Sequence, residues 1–409
     1  MNKYLVSLAL ALLCGSAWTQ TLSVKGKQIY IPKDLQTMDL QSDTSLWSYK
    51  RMDLTKNFVV FWQRGFGHDL NNPPKLDGHD MHVDLKNLEI KLERFYNFYK
   101  DTLRFSSLGS KADKYKMMVM INYSLDGTAY GGTYDNFIGA LWVAPNRIQD
   151  KKLNCLAHEL GHSFQLQIPA DSISDIWGGN GFLEMTSQWM LWQVNPNWVA
   201  DENYHFQAFR NLTHKAFLSI DNIYHSPYVL QYWTEKHGLD FIAKLYRDGK
   251  TGEDPALTYM RISKLNQKQF NNEMFDCYTK LLNFDFKHAY KETRPYACTF
   301  STPMDSVGIN MYRIPNNMAP EEYGFNAIKL AKPLKKNNIK VKVKRLSKDN
   351  GCDLKYSLVE EPECYYLLVM NAPRKHVMLQ RPDEYDNNLN AKPAVIQYQI
   401  SVKGTNILK

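Results

Sequence analysis

Apolar residues change their spacing along the chain, and the changes divide it into regions. Asn57-Phe58-Val59-Val60-Phe61-Trp62 is a continuous apolar run closed by the turn signals Gly65 and Gly67, which predicts a buried strand after an irregular lead-in over residues 21–56. From Asp84, the positions Leu85, Leu88, Leu92, Phe95, Tyr99 and Leu103 recur every three or four residues. This predicts an amphipathic helix with Asp84 as its cap. Strands are expected at Met117–Tyr123 and Phe137–Val143, the second entered through a turn at Gly131-Gly132. A buried helix follows the break at Pro145-Asn146, with Leu153, Leu156, Ala157, Leu160 and Phe164 as its apolar stripe. From Gly181 to about Leu282 the spacing is helical, most clearly over 181–194, 227–247 and 267–282. Beyond Phe300, short alternating runs are separated by turns at Pro315-Asn316-Asn317, Pro333, Asn350-Gly351, Pro362, Pro373 and Pro393, a spacing that suggests a β-sandwich. The fold class expected is α+β. A mixed sheet with a buried helix and then a helical subdomain occupies residues 20–299, and an all-β sandwich-like domain occupies 300–409.

The first residues read as a targeting segment rather than part of this fold. Lys3 precedes the ten-residue apolar run Tyr4 to Leu13, and Gly15, Ser16 and Ala17 follow, the plan of a secretory signal over residues 1–19. Ten apolar residues are too few to cross a bilayer, and no other stretch approaches that length, so no transmembrane segment is expected. Cys14 raises lipid attachment, but Ala11-Leu12-Leu13 lacks the small residues such a site wants. The expected location is secreted or periplasmic.

Composition changes this picture little. The 409 residues are 44% hydrophobic and 22% charged, the balance of an ordinary globular chain. Much of the net charge of +8 lies toward the C-terminus, where Lys340, Lys342 and Lys344 alternate with Ile339, Val341 and Val343. That pattern reads as a strand whose lysine face protects a sheet edge, with a polyanion surface as the rival reading. Nucleic acid is not an expected partner of a secreted chain. Removal of Cys14 leaves Cys155, Cys277, Cys298, Cys352 and Cys364, an odd number, with Cys352–Cys364 and Cys277–Cys298 as possible pairs.

Candidate chemistry sits on the buried helix. His158-Glu159-Leu160-Gly161-His162 places two imidazoles one turn apart on one face, the spacing with which both can reach one tetrahedral ion. Glu159 is rotated about 100° from His158, so it can stand beside the ion as a general base. A catalytic zinc site needs a third protein ligand. Glu184, on a helix that Asn180 would cap, is preferred over Asp171 and Asp175 because a helix holds geometry better than a loop.

These residues resemble the gluzincin metallopeptidases: an H-E-x-x-H helix, a glutamate about twenty residues later and a preceding strand entered through glycines, over about residues 55–285. The whole chain is also similar to an uncharacterised family of secreted bacterial zincin-like proteins with a C-terminal β-domain. The resemblance implies Zn2+ as cofactor and the strand containing Gly139, Ala140 and Trp142 as the edge beside which a peptide substrate lies. It also implies an oxyanion donor from the second helical subdomain, for which Tyr228 is the candidate, with His225 and Tyr232 behind it. Three departures stand out. Leu183 precedes Glu184 where many gluzincins carry asparagine, Gln188 stands where an aspartate would orient a ligand histidine, and the G-x-M-E-N sequence of the related aminopeptidases is absent. Gln165 and Ile168 exclude the metzincin pattern. The expectation is therefore a secreted zinc-dependent hydrolase, endopeptidase-like, acting on protein or peptide that could be glycosylated. The alternative is a catalytically weak zincin-fold protein that binds glycan or protein, with the C-terminal domain as a glycan- or surface-binding module.

Overall fold

The computed structural model describes residues 21–22, 26–172, 180–333, 339–378 and 393–408. The expected leader over 1–19 and the rival ligand Asp175 lie outside the described residues. Five strands form a mixed sheet: β1 (Met52–Leu54), β2 (Phe58–Trp62), β3 (Met117–Ile121), β4 (Ala129–Tyr134) and β5 (Ile138–Val143), in the spatial order β1-β2-β3-β5-β4. β2, β3 and β5 run parallel, while β1 and β4 are antiparallel edges. β2 and β3 are apolar and buried along their whole length, as a sheet covered on both faces requires. Between β2 and β3 lies α1 (Leu85–Asn97), begun by Asp84, whose carboxylate accepts from the Asn87 N–H.

Two sequence expectations change here. Gly131 and Gly132 do not form a turn; they lie in the middle of β4. As a result β5, with Gly139, Ala140 and Trp142, is not the edge strand. It is enclosed between β3 and β4, which occupy both of its hydrogen-bonding sides. Two consecutive glycines usually punctuate a chain, but here the first of them lets a strand pass close to a helix.

That helix is α2 (Asn154–Ala170), buried on nearly every side. Tyr96 of α1 and the neighbouring Tyr99 pack on its Phe164, and β4 and β5 lie along another flank. α3 (Asn180–Val194) packs beside it, followed by α4 (Asn203–Leu212), α5 (Tyr228–His237), α6 (Phe241–Asp248), α7 (Pro255–Ile262) and α8 (Gln267–Leu282). The expected helix over 227–247 is thus two helices, parted at Gly238, whose φ of 114° lies outside the helical range.

The remaining strands are β6 (Asp305–Gly308), β7 (Met311–Arg313), β8 (Phe325–Ala331), β9 (Lys340–Arg345), β10 (Cys352–Glu360), β11 (Cys364–Pro373) and β12 (Tyr398–Lys403). They make two antiparallel sheets, β8-β11-β10 and β9-β12-β7-β6. Ile328, Leu330, Leu367, Val369, Ile400 and Val402 form a core to which both sheets contribute. The alternate residues Ala327, Tyr366, Leu368 and Met370 belong instead to the large core shared with the helices. Both faces of β11 are therefore covered, and the core runs unbroken across residue 300. The five cysteines Cys155, Cys277, Cys298, Cys352 and Cys364 are all free. β10 and β11 form a hairpin in which Cys352 faces Pro373 at the open end, while Cys364 sits at the turn. The two sulfurs are therefore held a strand length apart.

Candidate metal centre

α2 is clamped by two glycines. A Cβ on Gly131 of β4 would stand 1.7 Å from the Glu159 carbonyl oxygen, so only a residue without a side chain permits this strand–helix approach. On another face, a Cβ on Gly161 would stand 2.8 Å from Ser187 Oγ of α3. The first contact fixes Glu159 against the edge strand. The second brings α3 close enough for Glu184 to meet the two histidines.

His158, His162 and Glu184 converge. His158 Nε2 lies 3.0 Å and His162 Nε2 3.1 Å from Glu184 Oε2, and the two Nε2 atoms are 3.1 Å apart. All three side chains are nearly buried. The far side of each ring faces a glutamine: His158 Nδ1 lies 3.3 Å from Gln188 Oε1, and His162 Nδ1 3.4 Å from Gln165 Oε1. Neither amide is free to turn over. Gln165 Nε2 donates to the Leu183 carbonyl and to Ser187 Oγ, and Gln188 Nε2 donates to the Tyr224 carbonyl. Both rings must then donate from Nδ1, which leaves three lone pairs pointing at one another.

Three acceptors so close need a cation between them, a proton or a metal ion. The pull is visible in the titration of the bare cluster. Burial opposes ionisation of Glu184, yet protons drawn onto the Nε2 atoms of His158 and His162 would hold its carboxyl well below the usual carboxylate range. Burial likewise opposes a charge on His162, and its bond to Glu184 overcomes that and raises it. The donor set fits a metal. Ligands on a tetrahedral ion with bonds of about 2.0–2.1 Å stand about 3.4 Å apart, close to the separations present.

Glu159 does not join the cluster. Its Oε2 accepts from the Gly131 N–H at 2.7 Å, and burial, opposed by the nearby His158 and His162, raises its carboxyl above the ordinary range. Of the rival ligands, Asp171 is engaged elsewhere: it accepts from Ser110 Oγ, the Lys111 N–H and Gln167 Nε2, tying the end of α2 to the segment after α1.

Two site expectations are corrected. Tyr228 lies in the core, 1% exposed, between Trp192, Phe209 and Phe284, and its hydroxyl has no hydrogen-bond partner among the described residues. Tyr232 is tied to Asp276. One turn earlier, Tyr224 is the residue beside the cluster, its ring 6.1 Å from that of His158 and inclined by 28°. On β5, the Gly139 N–H is bound to Gln167 and the Ala140 carbonyl to Ser163, so both support α2. Trp142 stays partly exposed against Tyr130 and Tyr134 of the true edge strand. Sequence reasoning missed Gly131 as a contact residue and Gln165 as the partner of His162, and it placed Gln188 beside a ligand histidine only as a weaker substitute for a carboxylate. The available signal was helical spacing, three residues after His162 and four after Glu184.

Comparison with known proteins gives one match. A family model described as "Family of unknown function (DUF6055)" matches residues 21–357, from the lead-in through the helices and into β10. No curated protein matches, and no solved structure does.

Proposed function

The chain belongs to that family, and from this premise we propose that it is a secreted zinc-dependent hydrolase of the gluzincin type, an endopeptidase-like metallopeptidase with Glu159 as general base. One observation carries the reading: three acceptor atoms converge within 3.1 Å, while both imidazoles spend their other nitrogen on a glutamine oxygen. His158, His162 and Glu184 would hold the ion. When bound, zinc polarises a carbonyl and makes water more acidic. Among the described residues, no helix is long and apolar enough to cross a membrane.

The chain's own groups supply the rest. The Gly131 N–H fixes Oε2 of Glu159, leaving Oε1 to take a proton from the attacking water and return it to the leaving amine. Because the Gly131 N–H points away from β5, the backbone groups of Ala129 and Thr133 share that outward direction, and an extended peptide could add to this edge. Tyr224 takes the place of Tyr228 as the candidate hydroxyl for the developing oxyanion.

The test is metal content followed by cleavage of a mixed peptide library. We expect one zinc per chain and cleavage that a chelator abolishes. Glu159→Gln should keep the zinc and lose activity by about 10²–10⁴-fold. Undiminished activity in that variant overturns the assignment of the base, and zinc without any cleavage would favour a binding protein built on this fold.

A further inference from the structure

We infer that His205 and His225, neither of which touches the cluster, are positioning residues that act through Gln188 and, together with the Tyr224 carbonyl, decide which nitrogen of His158 is offered to a metal. The inference rests on the reading of His158, His162 and Glu184 as ligands. A carboxylate in the place of Gln188 would accept a proton in either orientation. An amide has a donor end and an acceptor end, so it orients the imidazole only if something orients the amide.

The contacts around Gln188 do so in sequence. Its Nε2 lies 3.0 Å from the Tyr224 carbonyl oxygen, which can only accept, so this is the donor end. The second proton of that nitrogen points at His205 Nε2, also 3.0 Å away. His205 must meet it with a lone pair and carry its own proton on Nδ1, which faces His225 Nδ1 at 2.7 Å. His225 must accept there, and it is fitted to do so: burial and the neighbouring His205 lower its pKa to about 4, which keeps the ring neutral near pH 7. Inward from the amide, Oε1 faces His158 Nδ1, which donates, and His158 Nε2 is left as the lone pair beside Glu184. One carbonyl and one neutral imidazole thus determine the roles of the whole chain.

A competitor is present in the same place. Glu202 Oε2 lies 3.5 Å from His205 Nε2 and would favour a proton there. Each of its oxygens has a nearer donor, Asn154 Nδ2 at 2.9 Å on Oε1 and Trp198 Nε1 at 3.0 Å on Oε2. A proton on His205 Nε2 would also force the amide over, setting its oxygen against the Tyr224 carbonyl and its NH2 toward His158. His158 would then hold its proton on Nε2, where it blocks a metal.

The experiment measures zinc affinity by competition with a chromophoric chelator and, separately, the ring tautomer of His158 by ¹⁵N NMR on the metal-free full chain. The wild type should show the Nδ1–H form. His205→Phe should weaken zinc binding by about 10–100-fold and mix the tautomers. His205→Gln, whose Oε1 can replace the lost acceptor, should restore both. An Nε2–H form in the wild type, or wild-type zinc affinity in a folded His205→Phe chain, overturns the inference. If His205→Phe does not fold, the wild-type tautomer decides alone. A wild type that binds no zinc but shows the Nδ1–H form would sink the metal reading and leave the positioning intact.

Discussion

Two of the buried groups of histidine and carboxylate among the described residues behave in opposite ways. The first is His158, His162 and Glu184. The second lies where the helices meet the C-terminal strands: His376 Nε2 is 2.7 Å from Asp254 Oδ2, and His376 Nδ1 is 3.2 Å from the Tyr323 hydroxyl, which accepts from Gln267 Nε2 at 3.0 Å. Burial does not separate them. Side-chain exposure is 11–12% in the first group and 8–11% in the second. The difference is polarity. In the second group every contact joins a donor to an acceptor, from Gln267 through Tyr323 and His376 to Asp254, and the Leu257 N–H satisfies the other Asp254 oxygen. In the first, the glutamines turn both imidazoles so that acceptor meets acceptor. The first group offers three ligand atoms where the second offers an imidazole and a carboxylate, and hydrogen-bond direction separates them further.

The comparison can be broken most decisively at Glu184. Glu184→Ala should abolish stoichiometric zinc, measured by elemental analysis of the purified chain. If one zinc per chain remains tightly bound, the convergent acceptors are not the site, and Asp175 becomes the rival. A smaller effect, of a different kind, is expected at the second group. Asp254→Ala leaves a buried imidazole without its partner and removes the cap of α7, so it should destabilise the fold by about 3–5 kcal/mol in denaturant titrations while zinc content stays unchanged. A loss of zinc there would mean that the two groups are coupled. The smallest effect concerns a carboxyl whose buried oxygen meets no donor among the described residues. Glu89 has one oxygen buried without a hydrogen bond, and burial, with Asp53 beside it, raises its pKa to about 7. A folded-state pKa above the unfolded value favours the folded chain at low pH, so this contribution fades as pH rises from about 4.5 to 7. Glu89→Gln should flatten that part of the decline in melting temperature between pH 5 and pH 8. An unchanged slope would show that Glu89 ionises freely.

The parts legible in the sequence were those in which one element carries its own signal. The stripe Leu153, Leu156, Ala157, Leu160 and Phe164 is buried as its spacing predicts, and the separation of His162 from Glu184 was enough to nominate a residue that the fold brings to both histidines. What failed depended on neighbours. Gly131-Gly132 has the composition of a turn, and only the helix packed against Gly131 explains that glycine inside a strand. Without that strand, β5 reads as the edge. Tyr228 follows Ser226-Pro227, which marks a helix start and does precede α5, but the first residues of α5 face the core and the approach to the site comes one turn earlier. Gln188 looked like a weakened partner because an amide was weighed alone, without Tyr224 and His205 to orient it.

Gly131 also has a use beyond this chain. Its Cα sits where any larger residue would collide with the backbone of α2 at Glu159, so the letter at this position reports the distance between strand and helix. Relatives within the family can therefore be sorted by reading one column of an alignment. Those with glycine can keep the base pinned to the edge strand. Those with any other residue must have moved the helix, and a search for activity would do well to begin with the former.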